Sequence, residues 1–373
     1  MRHIYFLDIN YRIGKYILRF YRIFLSLCMW LISMSLPAEL RKVQITGGAT
    51  YVISLPKKWV KAVGLKPKDQ VALIPQADAS LLVVPKGDLK PKENLEATIE
   101  ASEQAGPEAV VRDFIAHYLV GYDIIRIKLR NIRYPDLIKN SIRQKLIGVE
   151  IMDESADEMV VQCLLGHVEL PLRRALDRMH VLMLFMLRDA IDALKNNNKA
   201  LAEEVIHRDD EVDRLYFFVV RQLKAAVYNR TLIEEIGLSN PRDCLGYRLI
   251  VKSVERSADH AARIASVIPT LATPINNNAI EGIVAMSLLA REIQEDSMKA
   301  LYKYDPKLIN ESMAKVNKVI DLEEEVIEQL LKLKTEPRSM MGVRLILESI
   351  RRIAEYGTDI AEIAINLTVK QPL

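Results

Sequence analysis

The sequence is poor in the features that mark most secreted proteins and most enzymes. Its three cysteines, Cys28, Cys163 and Cys244, lie far apart with no CxxC spacing, which argues against a disulfide framework, a zinc ribbon or a dithiol redox pair and fits a reducing cytoplasm. The six histidines, His3, His117, His167, His180, His207 and His260, are not at ligand spacing from one another. There is no glycine-rich phosphate cradle, and no serine or cysteine is flanked by a recognisable base, so nucleotide chemistry and acyl transfer are not expected. A charge excess is also missing. With 52 basic and 49 acidic residues, any contact with nucleic acid must be local.

Long apolar runs are nearly absent. Ile23 to Leu36, behind Arg12, Lys15, Arg19 and Arg22, makes about 14 residues, roughly 21 Å as a helix against a hydrocarbon core of about 30 Å. Three readings of residues 1–36 stay open: an interfacial amphipathic segment that could touch a membrane, an extension ahead of a true start at Met34, and a single-pass anchor. What the chain does have is length and apolar content. At 373 residues, half of them hydrophobic, it can form two or three domains with a sizeable core.

Positive charge gathers near the front. Between Pro37 and Gln70, seven cations (Arg41, Lys42, Lys57, Lys58, Lys61, Lys66 and Lys68) face two anions, Glu39 and Asp69. Here Val43 and Ile45 alternate with polar neighbours as in a strand, Gly47-Gly48 supplies a turn, and Tyr51 to Ile53 resumes extended structure. Pro56 is expected at the first helical position, with Ser54 as capping oxygen and Gly64 at the end. A second strand pair is predicted over Gln70 to Pro75 and Ser80 to Pro85. Cations on a small rigid β-unit suit phosphate-backbone contact, and equally a solvated surface.

The run Arg41 to Val71, with its Thr-Gly-Gly turn, Ser54-Leu-Pro-Lys-Lys-Trp59 helix start and Lys68-Asp-Gln-Val71, resembles the AbrB/SpoVT swapped-hairpin DNA-binding domains. The resemblance covers about 50 residues and implies a homodimeric β-barrel made by hairpin exchange over 37–88. It also makes Arg41, Lys42, Lys57, Lys58 and Lys61 the candidate DNA-facing residues. A unit this small buries little core alone.

Lys86 to Pro107 is charged and poor in large apolar residues, and reads as linker plus a short helix. Over 108–165 the periodicity predicts helix (Val110–Tyr122), strand (Asp123–Leu129), helix (Pro135–Ile147) and two strands (Gly148–Asp153, Glu158–Leu165). This is a small α/β module within a linker region 89–167. Six long helices are then expected at about 169–195, 198–228, 242–268, 277–304, 306–333 and 339–368, separated by Asn, Gly and Pro breakers.

Within this half the chain repeats itself. Arg248-Leu-Ile-Val-Lys-Ser-Val-Glu-Arg-Ser-Ala-Asp-His-Ala-Ala-Arg-Ile-Ala265 aligns without gaps to Arg344-Leu-Ile-Leu-Glu-Ser-Ile-Arg-Arg-Ile-Ala-Glu-Tyr-Gly-Thr-Asp-Ile-Ala361. Both are third helices, so the fold class is α+β with tandem three-helix bundles over 168–270 and 271–373.

The first copy carries Asp209-x-x-x-Asp213 on its second helix and Glu255-x-x-x-Asp259 on its third. Carboxylates at i and i+4 share a helix face, and two such pairs on neighbouring helices make an oxygen cluster suited to Mg²⁺, Mn²⁺ or iron. The bland alternative is surface charge relieved by Arg214 and Arg256. A ferritin-type di-metal catalyst needs two Glu-x-x-His units, and the bundle half has one, Glu204-Val-Ile-His207. The expectation is therefore a non-enzyme, with His207 on the surface and His260 beside the acidic cluster.

Asp209-Asp-Glu-Val-Asp213 and Glu255-Arg-Ser-Ala-Asp-His260 resemble the acidic motifs of the PhoU phosphate-uptake regulators. That resemblance covers about 200 residues and implies metal ions (iron, Mn or Mg) at Asp209, Asp213, Glu255 and Asp259. In the second copy it points to Glu324, Glu355 and Asp359, although Arg351 stands where the motif needs an acid. It further implies a role in phosphate homeostasis beside a phosphate ABC transporter or its regulatory sensor. Joined, the two resemblances imply a cytoplasmic, dimeric DNA-binding regulator of phosphate uptake, whose helical half senses transporter or metal state and reorients to change the spacing of the DNA-facing surfaces. The alternative is an adaptor without DNA contact that negatively regulates the transporter.

Overall fold

The computed structural model describes residues 39–75, 80–85, 94–130, 132–166, 170–227, 229–271, 275–332 and 336–369. The three readings of residues 1–36 fall outside them. The chain divides into two compact units, 1–93 and 94–373.

In the first unit β1 (Gln44–Thr46) pairs antiparallel with β2 (Thr50–Val52) across a tip where Gly47 and Gly48 both take positive φ. Helix α1 (Lys57–Ala62) follows. Pro56 is its N-cap in extended conformation rather than its first helical residue, and Ser54 makes no capping bond. At the other end Gly64, with φ 66°, lets the Leu65 N–H reach back to the Val60 carbonyl, closing the helix as a left-handed cap does. A second antiparallel hairpin joins β3 (Val71–Pro75) and β4 (Leu81–Pro85).

The two hairpins form separate two-stranded sheets, so the barrel implied by the resemblance is not closed within one chain. The reason lies in the burial. Val43, Ile45, Tyr51, Ile53, Leu73 and Leu81 each expose more than half of their surface, and no described hydrophobic residue before Ile99 is buried. A hairpin without a covered face is marginal in water.

The second unit opens with an α/β module: β5 (Glu96–Glu100), α2 (Pro107–Val120), β6 (Ile124–Lys128), α3 (Pro135–Lys145), β7 (Val149–Glu154) and β8 (Glu158–Cys163). The sheet order is β5-β6-β8-β7, with β5 parallel to β6 and the other pairs antiparallel. The short helix expected before Pro107 is replaced by strand β5. Its Ile99 is buried among Val111, Phe114, Ile125 and Ile127, so a parallel pairing closed through α2 decides the conformation where local composition did not. Prolines start α2 and α3 at positions where a missing N–H costs nothing.

The helices are α4 (Leu172–Lys195), α5 (Lys199–Ala226), a short α6 (Arg230–Glu235), α7 (Asp243–Val267), α8 (Asn277–Tyr302), α9 (Pro306–Lys332) and α10 (Pro337–Thr368). Their ends follow the punctuation in the sequence. Asn198 accepts from the Leu201 N–H and Asn276 from the Ala279 N–H, and the Glu336 carboxylate accepts from the Ser339 N–H ahead of Pro337. Helix α6, in the segment expected to be a break, was not anticipated.

Helices α4, α5 and α7 pack together, as do α8, α9 and α10, and α7 lies along α10. One apolar core runs through both bundles, from Leu172 to Ile360. The pairing of α7 with α10 repeats internally. Gly246 leaves room for Ile363 and Leu367, while Gly342 leaves room for Val267 and Leu271. Each partner lies 96 positions on (246 to 342, 267 to 363, 271 to 367), so the chain contacts itself about an internal pseudo-twofold. A Cβ at Gly342 would come within 2.7 Å of Leu271. The close approach of the two helices therefore depends on these two glycines.

The module docks on the first bundle through α5. Phe217 packs against the module core, and the buried Arg221 donates to the carbonyls of Tyr118 and Tyr122 (2.9 Å to the latter) and to Asp123 Oδ1 at 3.1 Å. Burial pushes the Tyr118 hydroxyl above its ordinary range, against the opposing pull of Arg221.

Candidate functional site

Two successive turns of α5 and two of α7 bring the predicted acids together. Ligand atoms of Asp213, Glu255 and Asp259 all lie within 4.8 Å of one another. Asp209 stands one turn before Asp213 and feels Asp259, Asp213 and Glu255. The helices fold this way because the stripe adjoining the acids carries Val205, Val212, Leu215 and Val219 on α5, and Val251, Val254, Ala258 and Ala261 on α7, all in the core.

The electrostatics are those of crowded anions without enough cation. Burial first, then Asp259, Asp213 and Glu255, push the Asp209 carboxyl up to about 7. Burial with Glu255 and Asp213 lifts Asp259 to about 6, against Lys252 and Arg256. Asp213 is raised by burial and Glu255, opposed by Lys145 of the module and by Lys252. Lys252 donates to Glu255 Oε1. Glu255 Oε2 and Asp209 Oδ1 are buried with no hydrogen-bond partner. Arg214 and Arg256, the cations of the bland reading, form no ion pair with these carboxylates among the described residues; Arg256 instead lies 5.9 Å from the Tyr356 ring.

Buried, unpartnered carboxylate oxygens converging from two helices are a donor set that a hard or borderline divalent ion satisfies. The residues present fit such an ion.

The second copy is arranged differently. Glu324 is exposed on α9, Asp359 is exposed on α10, and Glu355 is bound by Arg351 and Arg352. The structure does not bring Glu324, Glu355 and Asp359 into one group. The inward acid of α9 is Glu323, which sequence reasoning passed over. It sits on the buried stripe Val319, Glu323, Val326 and Leu330, whose helical spacing was the available signal. His207 is exposed, as expected. His260 turns from the cluster toward Tyr356, at 5.9 Å between rings, where burial, Arg263 and Arg352 lower it to about 4.

On the first unit, Arg41, Lys42, Lys57, Lys58 and Lys61 are all exposed. Arg41 is paired with Glu39. The three lysines lie within five residues of α1, so Lys57, Lys58 and Lys61 span one helical turn with two of them, Lys57 and Lys61, on one face. No helix among the described residues is long and apolar enough to cross a membrane.

Comparison with known proteins agrees with this layout. A family model described as "PhoU domain" matches residues 176–268 and 283–364, and one described as "Antidote-toxin recognition MazE, bacterial antitoxin" matches 44–91. A phosphate-specific transport system accessory protein PhoU homolog from Zymomonas mobilis is 24% identical over 180 residues, spanning 47% of this chain and 74% of that protein. A second such homolog, from Thermotoga maritima, is 27% identical over 190 residues, 48% and 77% of the two chains. The crystal structure of the phosphate transport system regulatory protein PhoU from Streptococcus pneumoniae covers 52% of this chain and 92% of its own, at 19% identity and a TM-score of 0.46. The chain is thus a PhoU-type protein, with tandem PhoU domains behind an N-terminal domain of the MazE/AbrB class.

Proposed function

We propose that this protein is a regulator of phosphate uptake that grips DNA with its N-terminal unit as a homodimer and senses phosphate-transport status with its helical unit. The observation that carries the reading is the joining, in one chain, of a basic hairpin–helix–hairpin unit to tandem PhoU domains. Relatives named for phosphate-specific transport support the sensing half. The exposed apolar side chains of β1 to β4 support the dimer, since a second copy would cover surface that one chain leaves wet. Lys57, Lys58 and Lys61, with Arg41 and Lys42, are the residues that would face the phosphate backbone.

The acidic cluster is the second element of the proposal. Asp209, Asp213, Glu255 and Asp259 would hold a divalent ion of the Mg²⁺, Mn²⁺ or iron class. Such an ion would cancel the mutual repulsion of the carboxylates and cross-link α5 to α7. The protein is placed in the cytoplasm, where both DNA and the inner face of a transporter are in reach.

Duplex binding measured across a salt series tests the DNA half. Replacing Lys57, Lys58 and Lys61 by Ala should weaken binding and flatten the salt dependence, because each lost phosphate contact removes about 0.9 from the log–log slope. Unchanged affinity and slope would remove DNA from the function. The reading would then revert to an adaptor whose hairpin unit only dimerises while the bundles restrain a transporter, which the wet apolar face of that unit equally fits. Chromatin occupancy near transporter genes separates the two, since the adaptor occupies none.

A further inference from the structure

The internal repeat sets Arg351 opposite Glu255 and Glu355 opposite Asp259. We infer that the Arg351 guanidinium is a built-in cation that occupies, in the second bundle, the place a divalent ion would take in the first. Metal is then taken at the Asp209, Asp213, Glu255 and Asp259 cluster alone, and only the first bundle can respond to it. The inference rests on the proposed metal reading of that first cluster.

The two sites solve one problem with opposite means. Each bundle buries a glutamate at the same depth, Glu255 at 7% and Glu323 at 5% exposure, and a buried carboxylate must find a counter-charge. In the first bundle the counter-charge is incomplete. Three carboxylates converge with Asp209 one turn away, Lys252 is the one cation bonded to them among the described residues, and two buried oxygens are left over.

In the second bundle the buried glutamate has its counter-charge in full. Glu323 Oε1 accepts from Arg344, and its Oε2 lies 3.0 Å from Arg351 Nε. Arg351 Nη1 reaches on to Glu355 Oε1, while Arg352 takes Glu355 Oε2. All four carboxylate oxygens are engaged, and one planar guanidinium bridges α9 to α10 as a bound ion would. An arriving divalent ion would find the oxygens of Glu323 and Glu355 already taken and would be repelled by a fixed positive charge that does not titrate away. Arg352 also donates to the Tyr356 hydroxyl, which ties the network to the side of α10 facing His260 on α7.

The test uses the full-length chain stripped with chelator, then loaded with Mn²⁺ and assayed for bound metal after desalting. The variant R351E adds a third carboxylate beside Glu323 and Glu355 and removes the internal cation. We expect roughly a doubling of bound Mn²⁺ relative to wild type, with the added portion surviving E255Q and disappearing in R351E/E323Q. A folded R351E/E255Q protein that takes up no Mn²⁺ while wild type does would overturn the inference and leave the first cluster standing. Metal on R351E/E255Q with none on wild type would support the inference while removing the first-cluster reading. Should R351E fail to fold, E355Q in the otherwise unaltered chain decides: unchanged Mn²⁺ per chain supports the internal cation, and a loss overturns it.

Discussion

Asn in place of Asp209 should make the metal-free protein more stable at pH 8 and leave it unchanged near pH 4. Asp209 ionises at about 7 when folded against 3.8 as an unperturbed side chain, because it is buried beside Asp259, Asp213 and Glu255. Between those values the folded state holds a proton that the unfolded state has released, so stability falls as pH rises through the window and levels off above about 7. Taken alone, a carboxyl shifted this far costs about 4 kcal/mol at 1.36 kcal/mol per pH unit. Asp209 is only half-buried, and the cluster titrates as a coupled group, so about 2 kcal/mol is the expected measurable part. D209N removes the charge without changing the shape. In chelator, differential scanning fluorimetry should then place its Tm roughly 4 °C above wild type at pH 8, with the gap closing as pH is lowered toward 4. Adding Mn²⁺ at pH 8 should reverse the order, since the wild-type cluster gains a ligand that binds only the folded state. A D209N protein no more stable than wild type at pH 8, or a gap independent of pH, would refute the account of an under-compensated anion cluster.

Three further outcomes follow from the geometry. Arg221→Met strips a buried cation from the Tyr118 and Tyr122 carbonyls and from Asp123, so it should cost about 2–4 kcal/mol. Hydrogen exchange should locate the loss at α2 and β6. Gly342→Leu drives a side chain into Leu271 and Val267 at the crossing of α7 with α10 and should destabilise by about 1–3 kcal/mol, read by the urea midpoint. Gly148→Ala meets both a positive φ and Leu165 atoms 2.5–2.6 Å from the new Cβ, so it should lower the Tm of the module even though alanine is the smallest possible addition.

The helical half was legible because its signals are local. Apolar periodicity set where each helix runs, and Asn198, Asn276, Pro306 and Pro337 set where it begins, through capping bonds and through rings that fit only a first turn. The repeat was legible for the same reason, as was the pairing of Asp209 with Asp213 and of Glu255 with Asp259, which i, i+4 spacing places on one face. In the hairpin unit, Gly47-Gly48 and Gly64 marked a turn and a helix stop that backbone sterics leave to glycine.

Other features needed the tertiary structure. Strand β5 exists because a parallel partner and α2 cover Ile99, information that residues 96–100 do not contain. Helix α9 offers Glu323 rather than Glu324 to Arg344 and Arg351 of α10, a pairing across helices that exists only once the two are packed. Sequence thus determined the elements, their ends and the acids available to each face. Packing decided which acids are buried and that Glu323 is answered by cations of another helix, because burial and a counter-charge across helices belong to the space between them and not to any one of them.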